Sequence, residues 1–274
     1  MYPAVREVHR AAWRNGVSKD GTRFVPEEVP IALTYSGGSQ AVMMATPQDL
    51  EDFAIGFSLN EGLVERVADI ENLEIIHLDE GIELRMWLAE PAASRVIARR
   101  RVLAGPTGCG LCGIESISEA VRPVPKVASG NRFSASQIMA AIAGMAERQK
   151  INIQTRAVHA AAFWSPRNGF EFVREDVGRH NAIDKLSGAL AQAKRSTQAG
   201  FVLLTSRVSV EMVQKAATIG ASVLVSMSAP TALAVRTAEE AGITLIAVAR
   251  EDGFEVFANG HRIAAATPYH GIAV

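Results

Sequence analysis

The sequence predicts an α/β protein in two parts, and three observations carry that prediction. From Phe201 onward, short apolar runs alternate with helix-length amphipathic segments. That alternation implies right-handed crossovers and a mostly parallel sheet with helices outside it. Before about residue 128 the rhythm differs, with paired runs separated by Gly-containing turns, as hairpins require. Between the two patterns, Arg122-Pro123-Val124-Pro125 and Ser129-Gly130-Asn131 read as a linker. The expected domains are therefore an N-terminal α+β domain with hairpins over 1–128 and a C-terminal domain over 129–274.

Taken in order, residues up to about Arg23 read as a polar leader. Pro30 to Thr46 reads as a hairpin turning at Ser36-Gly37-Gly38-Ser39. Thr46-Pro47 offers a capping hydroxyl and then a proline at the first helical position. Leu50, Phe53, Ala54 and Phe57 follow at helical spacing, and Gly62 is a stop. A second hairpin spans Leu73 to Leu88 around Asp79-Glu80-Gly81. Ser94 to Leu103 is basic, and Ile114 to Val121 reads as a short helix. In the second half, Ser134 with Gln137 forms a capping-box pattern ahead of Ile138, Ile142 and Met145. Strands are expected at 158–164, 170–174, 201–205, 222–227 and 243–249. Helices are expected at 179–194, 209–219 and 230–241, with Gly220 and Gly242 as stops.

Composition bounds the function. Of 274 residues, 48% are hydrophobic and 21% charged, which is ordinary for a globular protein. A net charge of −1 argues against a dedicated nucleic-acid binder. Met1 to Arg14 has charges and no apolar run, so no secretory signal is read there. Apolar runs such as Ile243–Ala249 are strand-sized and too short to span a bilayer. These features point to a cytoplasmic protein without a membrane or nucleic-acid partner.

The only two cysteines are Cys109 and Cys112, set in Thr107-Gly108-Cys109-Gly110-Leu111-Cys112-Gly113. Two close thiols can be a redox pair, half of a metal site or a carrier of sulfur. A structural zinc site usually needs four ligands, and no second pair exists in the chain, so no metal is expected. In open α/β sheets the ligand lies beyond the carboxyl ends of the strands. The loops there are 175–180, 205–209, 227–231 and 249–253. The first combines Asp176, Gly178, Arg179, His180 and Asn181. Arginine can fork onto a phosphate, the helix N-terminus favours an anion, and histidine can move a proton. Arg207 with Ser206 and Ser209, Ser228 with Thr231, and Arg250-Glu251-Asp252-Gly253 repeat the theme. Together they suggest a phosphorylated ligand.

Thr107–Gly113, Arg174–Lys185, Ser206–Ala216, Ser228–Ala234 and Gly242–Arg250 resemble, in order, the motifs of the FdhD/NarQ family. These are formate dehydrogenase accessory sulfurtransferases, and Gly56–Gly62 resembles their N-terminal motif. The likeness runs from about Val29 to Phe257. It implies a cytidine-deaminase-like three-layer C-terminal domain and a homodimer. It further implies an activity: sulfur is taken as a cysteine persulfide from a cysteine desulfurase and passed to the molybdenum (or tungsten) bis-guanine-dinucleotide cofactor. That cofactor is a bound substrate destined for formate dehydrogenase. The family's catalytic cysteine falls on Cys109, with Cys112 as its neighbour. Its cofactor-binding segment falls on Val248, Ala249, Arg250, Glu251, Asp252 and Gly253, where Glu251-Asp252 suits a guanine base better than a phosphate. Two alternatives stand beside this: a non-catalytic cofactor chaperone for formate dehydrogenase, and a zinc-dependent hydrolase that lacks its ligands.

Overall fold

A computed structural model describes residues 2–103, 124–127 and 130–264. Cys109, Cys112 and the helix expected at 114–121 lie outside the described residues. The chain forms two compact units that are not successive lengths of chain. One comprises 1–124, 149–162 and 172–196, and the other 125–148, 163–171 and 197–274. The division expected at 128/129 falls near the first crossing only, because two later stretches return to the first unit.

The first unit opens with β1 (Val5–Arg14) and β2 (Val17–Pro26), an antiparallel ribbon paired along its whole length. This corrects the polar leader. The turn is Asn15-Gly16, both at positive φ (52° and 79°), the geometry that matches the twist of a two-residue hairpin. The ribbon is polar and exposed, so it lacks the apolar alternation that marks most strands.

Next come β3 (Val29–Tyr35), β4 (Gly38–Ala45), β5 (Ile70–His77) and β6 (Ile82–Leu88), in a four-stranded sheet ordered β4-β3-β6-β5. Both expected hairpins are present. The central pair β3–β6 is parallel, and each edge strand is antiparallel to its neighbour. Alternation decides the buried face: Ile31, Leu33 and Tyr35 from β3, with Ile82, Leu84, Met86 and Leu88 from β6. Helix α1 (Leu50–Asn60) contributes Phe53, Ala54 and Phe57 to the same core. The basic stretch forms part of helix α2 (Ala92–Leu103).

Helix α3 (Ala135–Met145) begins as expected, with the Ser134 hydroxyl accepting from the Gln137 N–H and the Gln137 side chain accepting from the Ser134 N–H. Helix α4 (Lys150–Thr155) is a single short helix that periodicity does not reveal. Then follow β8 (His159–Ser165), β9 (Gly169–Asp176) and α5 (Arg179–Gln192). The alternating half comprises β10 (Phe201–Leu204), α6 (Val210–Thr218), β11 (Val223–Ser226), α7 (Ala232–Ala241), β12 (Thr244–Arg250) and β13 (Gly253–Ala258). A minor two-stranded pairing joins β7 (Phe133–Ser134) to β14 (Ile263–Ala264).

The six-stranded sheet is ordered β13-β12-β11-β10-β8-β9, with β10, β11 and β12 parallel and β13 antiparallel to β12. The expected mostly parallel sheet is thus a parallel centre within a mixed sheet. Its central strands read as continuous apolar runs because they are buried on both faces. Phe201 stacks on Trp164 with ring centroids 4.9 Å apart and meets Phe133 edge-on at 5.2 Å.

Candidate functional site

In the first unit the turn between β9 and α5 is built around Asp176, which is fully buried. Its Oδ1 accepts from the Gly178 N–H at 2.8 Å and from Asn181 Nδ2 at 2.9 Å. Its Oδ2 accepts from the Thr46 N–H at 3.0 Å and lies 2.7 Å from Lys185 Nζ, which is equally buried. Lys185 also donates to the Thr46 carbonyl at 2.9 Å, and the Thr46 hydroxyl accepts from the Val177 N–H at 3.1 Å. This corrects the expectation for Thr46. Helix α1 starts later, after Asp49, because every polar group of Thr46 is engaged by the Asp176–Lys185 pair and its turn. A Cβ on Gly178 would lie 2.8 Å from Asn181 Nδ2 and would push that amide from its place beside Asp176.

Asp176, Gly178 and Asn181 therefore hold the turn, and the turn presents Arg179 and His180 at the first positions of α5. Arg179 Nε is buried and has no hydrogen-bond partner among the described residues. A buried guanidinium N–H without an acceptor is costly, and an anionic ligand would satisfy it. His159 on β8, which the sequence reading passed over, belongs to the same group. Burial, and then the charge of Arg179, hold its imidazole below the ordinary value of 6.5, with Asp176 pulling weakly the other way. It is thus neutral near pH 7, with a lone pair to accept a proton. Glu175 faces the other way and accepts from the Ile151 and Asn152 N–H groups at 2.9 and 2.8 Å, fixing the start of α4. Burial raises its carboxyl, and those N–H bonds oppose the rise.

In the second unit the remaining candidates gather at the carboxyl ends of β10, β11 and β12. The loops are stitched by backbone bonds: Val208 N–H to Ala229 carbonyl at 3.2 Å, Thr231 N–H to Val208 carbonyl at 2.9 Å, and Val248 N–H to Ser228 carbonyl at 3.1 Å. Ser226 donates to the Ser206 carbonyl at 2.6 Å and accepts from the Ser228 N–H at 3.1 Å. Thr231 caps α7 by accepting from the Ala234 N–H. Arg207, Thr231, Arg250, Glu251 and Asp252 are exposed around this scaffold.

Val248 is the unusual member, with φ at +52°. A β-branched residue in the left-handed region is a steric outlier, and such strain is held where surrounding bonds over-determine it. Here a bulge sets Val248 and Ala249 against Phe254 alone, between the pairs Ala247–Glu255 and Arg250–Gly253. The Arg250–Gly253 turn is therefore aimed by the bulge and by the tie to Ser228. The strand β13, which the sequence analysis does not include, follows Asp252-Gly253, a hairpin dipeptide that is also part of the expected binding segment.

The structure thus brings Asp176, Gly178, Arg179, His180 and Asn181 together in one unit. In the other it brings together Arg207, Ser228, Thr231 and Val248–Gly253. The FdhD/NarQ family model matches residues 26–264, nearly the whole described chain. The chain belongs to the FdhD/NarQ family. Among its relatives are the "Sulfur carrier protein FdhD" of Agrobacterium fabrum and that of Brucella abortus. Each is 51% identical over 259 residues, covering 94% of this chain and 96% of the relative. That of Cupriavidus necator is 49% identical over 251 residues, covering 92% and 87%. The fold matches the crystal structure described as a formate dehydrogenase accessory protein from Desulfotalea psychrophila, with a TM-score of 0.74 and 24% identity over 96% of this chain and 100% of that one. No helix among the described residues is long and apolar enough to cross a membrane.

Proposed function

We propose that this protein is a sulfur carrier acting through a persulfide on Cys109. The observation that carries the reading is near full-length similarity to relatives named as sulfur carriers, in a chain whose only thiols are Cys109 and Cys112. The Cys109 thiolate attacks the terminal sulfur of a persulfide on a cysteine desulfurase. The donor's S–S bond breaks, the donor leaves as a thiolate, and a new S–S bond forms on Cys109, with no net oxidation. Lowering the thiol's pKa raises the reactive fraction.

For delivery, the Cys112 thiolate attacks Cys109 and displaces the terminal sulfur as sulfide. The two electrons come from the cysteine pair, which closes as a disulfide and is reopened by a cellular thiol reductant. The acceptor is the molybdenum (or tungsten) bis-guanine-dinucleotide cofactor, bound as substrate before it enters formate dehydrogenase. The orphaned Nε of Arg179 suits one of its phosphates. His159 and His180 are the groups able to hold or yield a proton beside Arg179. The parallel run β10–β11–β12, flanked by α6 and α7, supports a cytidine-deaminase-like fold for the second unit. In this reading the protein works in the cytoplasm as a homodimer.

The test is intact mass after incubation with a cysteine desulfurase and cysteine, paired with titration of guanosine diphosphate. Wild type gains sulfur and Cys109→Ala does not, while both bind nucleotide equally; Arg179→Ala loads sulfur normally but binds nucleotide about tenfold more weakly. Sulfur on Cys109→Ala would move the carrier role elsewhere. No sulfur on any form, with nucleotide bound, would favour a cofactor chaperone.

A further inference from the structure

The β1–β2 ribbon supplies no residue to the buried core cluster, yet its charges are sorted. Cross-strand partners share a face, so the register Arg6–Val25, Val8–Arg23, Arg10–Gly21, Ala12–Lys19 and Arg14–Val17 defines one side. That side holds every Lys and Arg of the hairpin. The opposite side holds both acids, Glu7 and Asp20, together with Trp13 and Phe24. At the base, Arg6 pairs with Glu27 and Arg23 donates to the Thr155 carbonyl. Toward the tip, Arg10, Arg14 and Lys19 are exposed, and their side chains make no ion pair or hydrogen bond among the described residues. On the same side, Val17, 68% exposed, lies opposite Arg14, and Val8, 37% exposed, lies next to Arg10. Among the described residues each strand of the ribbon pairs only with the other, which leaves each an outer edge of backbone donors and acceptors.

We propose that this ribbon docks an extended acidic segment of a partner protein, added along a free edge with alternate carboxylates over the cationic face. Alternate residues of a strand repeat about every 7 Å, so carboxylates at every second position match Arg10, Arg14 and Lys19 in step. The sorting of side chains chooses the partner class. Single-stranded nucleic acid is held by cations together with aromatic platforms, and an anionic membrane by cations together with buried aromatics. Here the aromatics point away from the cations, and small apolar residues accompany them instead. Carboxylates interleaved with small residues complement that face. The proposal is independent of the sulfur-carrier reading, since none of these residues belongs to either cluster above and the assay uses no sulfur.

The experiment uses full-length protein and a short fluorescent peptide of alternating glutamate and threonine, followed by anisotropy. A peptide of the same composition with its glutamates in one block is the control. The alternating peptide binds, the block isomer binds less tightly, and Arg10→Glu/Arg14→Glu/Lys19→Glu loses about tenfold or more in affinity. Arg14→Gln/Lys19→Gln, which keeps strand-compatible polar side chains, shows a smaller loss in the same direction and guards against misfolding of the charge-reversed form. Equal affinity for the two isomers overturns the proposal, leaving charge attraction without strand pairing. So does tighter binding of a poly-thymidine oligonucleotide or of phosphatidylserine vesicles that the triple variant abolishes, or a loss of self-association in that variant.

Discussion

Thr46, Asp176 and Lys185 form a closed set: a buried carboxylate, a buried ammonium and a backbone segment that supplies both an N–H and a carbonyl. Such pairs contribute little net stability, because desolvation offsets attraction, but they fix one arrangement of the groups around them. Their neighbour His159 is where that arrangement meets solvent pH. Its imidazole is held below 6.5 in the folded protein, so the unfolded chain takes up the proton first as pH falls. The stability from keeping His159 neutral is present above pH 6.5 and is lost as pH drops through that value toward the folded pKa. Urea midpoints measured across this window should fall with pH for the wild type. They should fall less steeply for His159→Gln, and parallel slopes would show that His159 is not desolvated.

At the scale of elements, the close crossing of α1 and α5 within the first unit is backbone against backbone. A Cβ on Gly56 would sit 1.7 Å from the Asp184 carbonyl oxygen, and one on Gly188 would sit 1.9 Å from that of Asp52. Asn60 reinforces the crossing by donating to Asp184 and Ser187 at 2.7 and 2.9 Å. Gly188→Ala or Gly56→Ala must push the helices apart and should cost at least about 1–3 kcal/mol, read as a lowered denaturant midpoint. An unchanged midpoint would mean the helices are not in contact there. The elements themselves were largely legible in the sequence. Ser134 with Gln137, the Ser36-Gly37 turn and the glycines at 220 and 242 each mark a boundary close to where the structure places it. What escaped was structure without an apolar signature. The β1–β2 ribbon is exposed on both faces, and α4 is too short for periodicity to accumulate. The start of α1 was misplaced because Thr46 is engaged by partners some 130 residues away, which local capping rules cannot see. His159 sits in an alanine-rich strand and becomes noteworthy only beside Arg179.

For the molecule as a whole, a formal charge of −1 conceals strong local sorting, with the cations of one ribbon on a single face. Among the described residues, the ribbon's side chains tie to their surroundings chiefly through Arg23 to the Thr155 carbonyl and Arg6 to Glu27. Exposed contacts of this kind contribute little. Excising residues 5–26, which joins Ala4 to Glu27 and keeps Tyr2 against the core, should therefore shift the unfolding free energy by no more than about 1 kcal/mol, as followed by thermal melting. A larger loss would give the ribbon a structural role instead of a docking one. The chain path sets a different limit. Because 149–162 and 172–196 belong to the first unit, truncation at residue 128 would remove α5, and with it Asp184, Lys185 and Gly188. Neither compact unit corresponds to a single stretch of chain.

The crossing at Gly56 and Gly188 also has a meaning for heredity. Every single-base change in a glycine codon that alters the residue introduces a Cβ, so neither position has a mild missense neighbour. Natural variation at most core sites can drift through residues of similar size, with small losses at each step. At these two codons no such intermediate exists, and a population would either keep glycine or compensate elsewhere in α1 and α5 at the same time.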